Sequence, residues 1–429
     1  MSPVRPQVTV VGRRVAPEHY RLRDFLTRAA QPFEWLEAGT PAADELLDRL
    51  GVGDADLPVL VDGDQVFSQA TVEKIADAWQ MSGTPSNDRY DLVIVGAGPA
   101  GLAAAVYAAS DGLTTLVLEE DVPGGQASHT SLIENFFGFP DGIGGAELAR
   151  LAGRQAERFG AELLVLRGAT GSGSQAGGKL GAGGHFAVEV AGEHEVEATT
   201  LIAATGMVWR RLEVPGVEQL IGRGIYYGAG RSEAAQCASE DVILVGAGNS
   251  AGQAAVHFAN ATARVTMLVR GPDLAKSMSA YLVRRIDAHP LIDVRLQTEV
   301  ESVEAEAEWL SAVTVRTAGQ DPERLRAHAM FLCIGGVPRT RWADETGVRV
   351  DPAGYVLTGP DLLSDGRRPA AWPLDRDPLA LETSIPGLFA AGDVRRGSPK
   401  RVAGAVGDGA MAVALAHRRL DELLEAGQR

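Results

Sequence analysis

The sequence predicts an α/β protein: two Rossmann-like, three-layer dinucleotide-binding domains preceded by a smaller α/β unit. Three observations predict it. An apolar strand runs into a glycine-rich turn at Asp91-Leu-Val-Ile-Val-Gly96-Ala-Gly98-Pro99-Ala100-Gly101. The pattern returns 150 residues later as Asp241-Val-Ile-Leu-Val-Gly246-Ala-Gly248-Asn249-Ser250-Ala251. Ahead of both, residues 1–82 alternate short apolar runs with helical spacing. A strand, a glycine turn and a helix N-terminus together make a pyrophosphate cradle, and two cradles imply two dinucleotides bound face to face.

The first unit reads in order as a strand at Val8–Gly12, a helix over 19–29, a strand near 33–36 and a helix over 42–50. Two strands follow within 57–67 around the Asp62-Gly63 turn, and a helix over 70–79 closes the unit. Turn formers over 82–88 read as a linker. In the first fingerprint, Gly96 permits the tight turn, Gly98 lets the backbone approach a phosphate, and Gly101 lets helix and strand pack closely. The helix begins near Pro99 and Ala100. The next strand, 115–118, ends in Glu119, 23 residues after Gly96, where a carboxylate accepts from ribose hydroxyls. In the second fingerprint Gly246, Gly248, Asn249 and Ser250 form the cradle. Its following strand, 264–269, ends in Arg270, which suits a 2′-phosphate, whereas an acid there would suit a 2′-hydroxyl. NADP(H) and NAD(H) both stay open. Residues 168–184 are rich in Gly, Ser and Ala and read as a loop, and 301–308 alternate as a strand edge does. Residues 361–379 read as a surface loop, a lid over the cofactor or a docking edge, and the last helix spans 407–420.

The chain has 429 residues, 45% of them apolar, enough for two or three domains with ordinary cores. A net charge of −16 argues against nucleic acid or an anionic membrane as the main partner. Two cysteines, Cys237 and Cys333, are too few for a disulfide scaffold, and both read as packed hydrophobes. The N-terminal segment has no long apolar core, and no apolar run approaches the ~20 residues of a membrane span, so a cytoplasmic protein is expected. The histidines lack metal-ligand spacing, so no metal is expected.

From Tyr90 onward the chain resembles flavoproteins of the thioredoxin reductase type, within the pyridine nucleotide-disulfide oxidoreductase family. The landmarks are the two fingerprints, Gly124-Gly125-Gln126, Ile133-Glu-Asn135-Phe-Phe-Gly-Phe-Pro140, Ala204-Thr205-Gly206, Phe331-Leu-Cys-Ile-Gly-Gly-Val-Pro338 and Thr383-Ser-Ile-Pro-Gly-Leu-Phe-Ala-Ala-Gly392-Asp393-Val394. All stand in the family's order. The resemblance implies an FAD-binding domain split over 88–208 and 335–429, an NAD(P)H-binding domain at 209–334, and a homodimer. It also implies that Gly125, Gln126 and Asn135 surround the flavin, with the strand end Ala204, Thr205 and Gly206. Gly392 and Asp393 would take the ribityl chain. Arg401 and Val402 would start the last helix, where the family usually has Arg-Gln and this chain has Lys400-Arg401.

Residues 1–82 resemble a thioredoxin or glutaredoxin domain, with Pro58 at its cis-proline position and a partner-docking face beside it. Both dithiols are missing. The small domain has Ala16-Pro17-Glu18-His19 in place of Cys-Pro-Xaa-Cys, and the reductase part has Gly228-Ala229-Gly230-Arg231-Ser232 in place of Cys-Ala-Xaa-Cys-Asp. The expectation is an FAD-dependent enzyme that passes electrons from NAD(P)H to an external acceptor, such as a small redox protein of the ferredoxin or flavodoxin kind. An external dithiol carrier and a slow flavin-bound scaffold or redox sensor are the alternatives. A single orientation of the two large domains is expected, with the nicotinamide reaching the flavin.

Overall fold

A computed structural model describes residues 6–427 except Val15, Ser82, Ser131, Gly168, 171–178, 181–184, 229–236, Ala238, Ser239 and 261–263. Most of the 168–184 loop and the 229–232 stretch lie outside the described residues.

The N-terminal elements are Val8–Gly12, Pro17–Arg28, Phe33–Glu37, Pro41–Leu50, Val59–Asp62, Gln65–Phe67 and Val72–Ala78. Val8–Gly12 lies between Phe33–Glu37, to which it is parallel, and Val59–Asp62, to which it is antiparallel. The Leu57–Pro58 peptide is cis. The first helix begins two residues before the expected start because Pro17 takes its first turn, where no N–H is needed. The last begins two residues later than expected, because Thr71 Oγ1 accepts from the Lys74 N–H at 3.3 Å and caps it.

The second sheet centres on Arg89–Val95, flanked in parallel by Thr115–Leu118 and His194–Ala203. Glu162–Leu164 and Leu388–Ala390 extend it, also in parallel. Helices cover it, so its central strands are buried on both faces and read as unbroken apolar runs. A fully parallel sheet carries the second fingerprint, in the order Ile225–Tyr227, Ala329–Leu332, Asp241–Val245, Arg264–Val269, Ile292–Leu296. An antiparallel sheet of Thr298–Glu306, Trp309–Thr317 and Glu323–Arg326 adjoins it. Met207–Trp209 and Gly336–Pro338 pair antiparallel where the chain crosses between the two large units.

Two expectations need correction. The last helix runs from Val402 to Glu425 and not over 407–420. Its buried face carries Ala405, Gly409, Ala412 and Ala416, small enough to continue the contact with Pro99–Ser110 beyond the glycines that suggested a boundary. The lid reading of residues 361–379, an alternative to a surface loop, is not borne out: none of them lines the cavity described below. Arg376 holds this segment down. Its guanidinium donates to the fully buried Glu382 at 2.7 Å and to Glu422 of the last helix at 2.5 Å, and Trp372 is buried beside it. No helix among the described residues is long and apolar enough to cross a membrane.

Breaking the pairing of a buried carboxylate leaves an uncompensated charge, worth about 3 kcal/mol. Arg376→Ala is therefore expected to lower the thermal midpoint by roughly 5 °C, measured by differential scanning calorimetry. An unchanged midpoint would show that the segment is not anchored there.

Candidate cofactor site

Glycine geometry builds the first cradle. Gly96 has φ +102°, and a Cβ there would meet the Ala204 carbonyl oxygen at 2.4 Å. A Cβ on Gly101 would stand 1.8 Å from the Gly96 oxygen, so this helix can approach its strand only without a side chain. Gly98 instead faces open space and caps the helix Pro99–Ser110 with no side-chain bond. The first N–H groups of that helix are left for a ligand. The second cradle repeats this logic. Gly246 has φ +147° and abuts the Cys333 carbonyl, while Gly248 faces open space and caps Asn249–Ala259 without a side-chain bond. Ala251, at the position of Gly101, is fully buried, so here helix and strand leave room for a methyl.

Both helix starts open on one cavity of about 1110 Å³. Gly96, Gly98, Pro99 and Ala100 line it from the first fingerprint, and Asn249 and Ser250 from the second. Gly125, Gln126 and Asn135 line it from the loop after Glu119, and Gln126 is fixed by donating to the Met207 carbonyl at 3.2 Å. Ala204, Thr205 and Gly206 form one wall, where Thr205 Oγ1 donates to the Arg339 carbonyl at 2.8 Å. Gly392, Asp393, Arg401 and Val402 form another. Gly101 lies beneath the surface as a packing residue. Gly246, Gly248 and Arg270 do not line this cavity, and Arg270 is exposed at the end of its strand.

Electrostatics mark two of these groups. Glu119 is buried, and its oxygens accept from the Ala97 N–H at 2.7 Å and the Asp121 N–H at 3.0 Å. Burial outweighs these bonds and pushes its carboxyl up to about 7. Its oxygens have room for further donors, and ribose hydroxyls are of the right chemistry to supply them. Burial also raises Asp393, against a 3.0 Å hydrogen bond donated by Ser398. Gly392 is held by Asp408 of the last helix, which accepts its N–H at 3.1 Å and pairs with Arg395 at 2.7 Å. The ammonium of Lys400 donates to the Asp393 carbonyl and sits 4.1 Å from the Tyr355 ring centroid.

His129 and Arg28 line the cavity and were not singled out from the sequence. His129 packs edge-on against Trp209 at 5.8 Å, and its Cβ lies 3.2 Å from where a Gly228 side chain would begin. Burial lowers its imidazole, which is therefore neutral at pH 7. Arg28 reaches the same cavity from the N-terminal unit. Neither cysteine lines it. Both are buried, and burial pushes the Cys333 thiol up to about 12, far from a reactive thiolate.

The cradles, the buried Glu119 and the shared cavity fit an FAD and a nicotinamide nucleotide. Residues 90–409 match the family described as pyridine nucleotide-disulphide oxidoreductase. The chain is 31% identical to the thioredoxin reductase of Bacillus subtilis over 340 residues, covering 78% of this chain and 96% of that protein. Its fold matches the thioredoxin reductase of T. acidophilum (26% identity, TM-score 0.67, 78% of this chain and 100% of that chain). The thioredoxin reductase of Lactococcus lactis in its FR conformation matches likewise (27% identity, TM-score 0.67, 78% and 100%). The family match begins at residue 90, after the N-terminal unit. The chain belongs to the pyridine nucleotide-disulphide oxidoreductase family, as an FAD-dependent NAD(P)H oxidoreductase of the thioredoxin reductase type.

Proposed function

We propose that this protein passes electrons from NADPH, by way of FAD, to an external acceptor without an internal disulfide. One observation carries the reading: both fingerprint helices open on a single cavity that no cysteine among the described residues lines. FAD held in this cavity would supply hydride and electron transfer between the nicotinamide and the external acceptor. The chain supplies binding and order. Gly98 and Gly248 bare their helix N-termini to the two pyrophosphates. Glu119 takes the adenosine ribose, Asp393 the ribityl chain, and Gln126 and Asn135 the ring edge. Arg270 favours NADPH as the donor, since an exposed guanidinium matches a 2′-phosphate. His129, neutral, packs with Trp209 against the face of Gly228 that carries no side chain.

The acceptor is proposed to be a small redox protein. The N-terminal unit is read as thioredoxin-like without its dithiol, on the support of its strand pairing, its cis Leu57–Pro58 bond and the position of Ala16-Pro17-Glu18-His19 at the first helix. A homodimer through the flavin-binding units, the domain limits given above and a cytoplasmic location belong to the same proposal.

Anaerobic mixing with NADPH is expected to bleach the bound flavin, and the Cys237→Ala, Cys333→Ala double variant is expected to bleach and turn over as the parent does. Loss of turnover in a double variant that still holds its flavin would refute the sulfur-free route. Arg270→Ala should raise the KM for NADPH roughly tenfold and leave that for NADH unmoved. Equal effects on both nucleotides would remove Arg270 from the phosphate site.

Ribose hydroxyls favour the ionised form of Glu119, whose carboxyl is raised to about 7 without them. Below pH 7 FAD must expel a proton to bind, so its affinity for the apoprotein should climb from pH 5.5 to 7, by up to about tenfold per unit, and level off above. Glu119→Gln should flatten this profile. A wild-type profile already flat across pH 7, read by flavin fluorescence titration, would contradict the assignment.

A further inference from the structure

The helix Pro17–Arg28 touches both large units. At its C-terminal end Arg28 donates two bonds to Asp121, at 2.7 and 3.1 Å, next to the Glu119 strand end. Val122 beside it is 1% exposed and belongs to the core that contains Phe25, Leu26 and Trp79 of the N-terminal unit. Two turns earlier, Tyr20 faces the other way. Its ring lies 5.3 Å from that of Tyr226, and a Cβ on Gly222 would come within 3.0 Å of it.

This contact belongs to a longer column. Tyr226 stacks on Phe331 at 5.2 Å, and Phe331 on Phe258 at 4.3 Å, both fully buried beneath the second fingerprint. On the other side the Arg23 guanidinium lies 5.5 Å from the Tyr20 ring and 5.2 Å from the Trp35 ring. Arg23 is 2% exposed, and its Nε and one Nη have no hydrogen-bond partner, so these two rings stand in for water around a buried cation. The column thus runs from the N-terminal unit into the core of the nucleotide-binding unit. A swing of that unit would part Tyr20 from Tyr226 and open one side of the cover over Arg23. It would also break the second tie between the large units, the paired bonds from Arg285 to Glu134 at 2.8 and 2.9 Å.

We infer that the N-terminal unit is a brace: Tyr20 and Arg28 are positioning residues that hold the nucleotide-binding unit in the orientation where both cradles open on one cavity. The inference rests on the proposed transfer from nicotinamide to flavin for its purpose, and on Tyr20, Arg23 and Arg28 for its mechanism. The N-terminal unit then acts on the reaction without contributing chemistry to it.

The test uses the full FAD-loaded chain, carrying nitroxide labels at Glu195→Cys and Asp287→Cys, two exposed positions on the flavin-binding and nucleotide-binding units. Labelled protein is diluted with unlabelled protein and read by double electron–electron resonance. The braced chain should show one narrow distance. Tyr20→Ala and Arg28→Gln should each add a second, shifting the population ratio by about tenfold, and should slow bleaching by NADPH in proportion. Tyr20→Phe, which keeps the ring beside Tyr226, should restore the single distance. Arg28→Gln carries the test alone should Tyr20→Ala fail to fold. Two distances in the parent, or one unchanged distance in the variants, would overturn the brace. The distance needs no turnover, so it reads the brace even if NADPH never bleaches the flavin.

Discussion

Bare backbone against bare backbone around Ala100 is the contact on which the site depends. Gly101 presses on the Gly96 oxygen, Gly409 of the last helix comes to where a Cβ would be 2.1 Å from the Ala100 oxygen, and a Cβ on Gly392 would be 2.9 Å from the Ala100 Cβ. Three segments far apart in the chain meet there because each brings a glycine to the contact, against no side chain larger than the Ala100 methyl. Their convergence puts the strand end at Ala204, the fingerprint turn and the Asp393 motif around one cavity. A methyl at Gly101 or Gly409 would have to displace backbone, and the cradle would widen before any ligand atom was touched.

The same economy holds for charge. Burial raises the carboxyls of Glu119 and Asp393 and lowers the imidazole of His129, so each of the three groups is shifted toward its neutral form. Among the described residues no thiol lines the cavity. The two thiols of the chain instead fill the core of the nucleotide-binding unit, within the cluster that holds Val242 and Phe331. On the proposed sulfur-free route the nucleotide-binding unit has one reason fewer to move, and the contacts of Tyr20 and of Arg285 are consistent with a unit that stays in place.

Local chemistry was legible and long-range chemistry was not. Both fingerprints and the strand ends at Glu119 and Arg270 could be read because each depends on a few neighbouring residues, whereas the cis peptide before Pro58 was implied only by the resemblance of residues 1–82 to a thioredoxin domain. Helix limits slipped where a cap decided them, at Pro17 and Thr71, and where a stripe of small residues continued past Gly407. The 361–379 segment was open to a lid reading because nothing local announces that Arg376 will meet Glu422. His129 escaped notice since an isolated histidine in a loop carries no pattern, and only folding brings it to Trp209 and Gly228. Tyr20 was equally silent: Tyr226, its partner, is 206 positions away, and an exposed-looking tyrosine on an amphipathic helix gives no sign of a docking contact.

An anaerobic reductive titration of the FAD-loaded protein with dithionite counts the redox centres directly. A flavin alone takes up two electrons, and a flavin in exchange with a protein disulfide takes up about four. The account requires complete bleaching at two electrons per flavin. A plateau at four, in protein free of other cofactors, would mean that a sulfur pair in this chain exchanges electrons with the flavin after all.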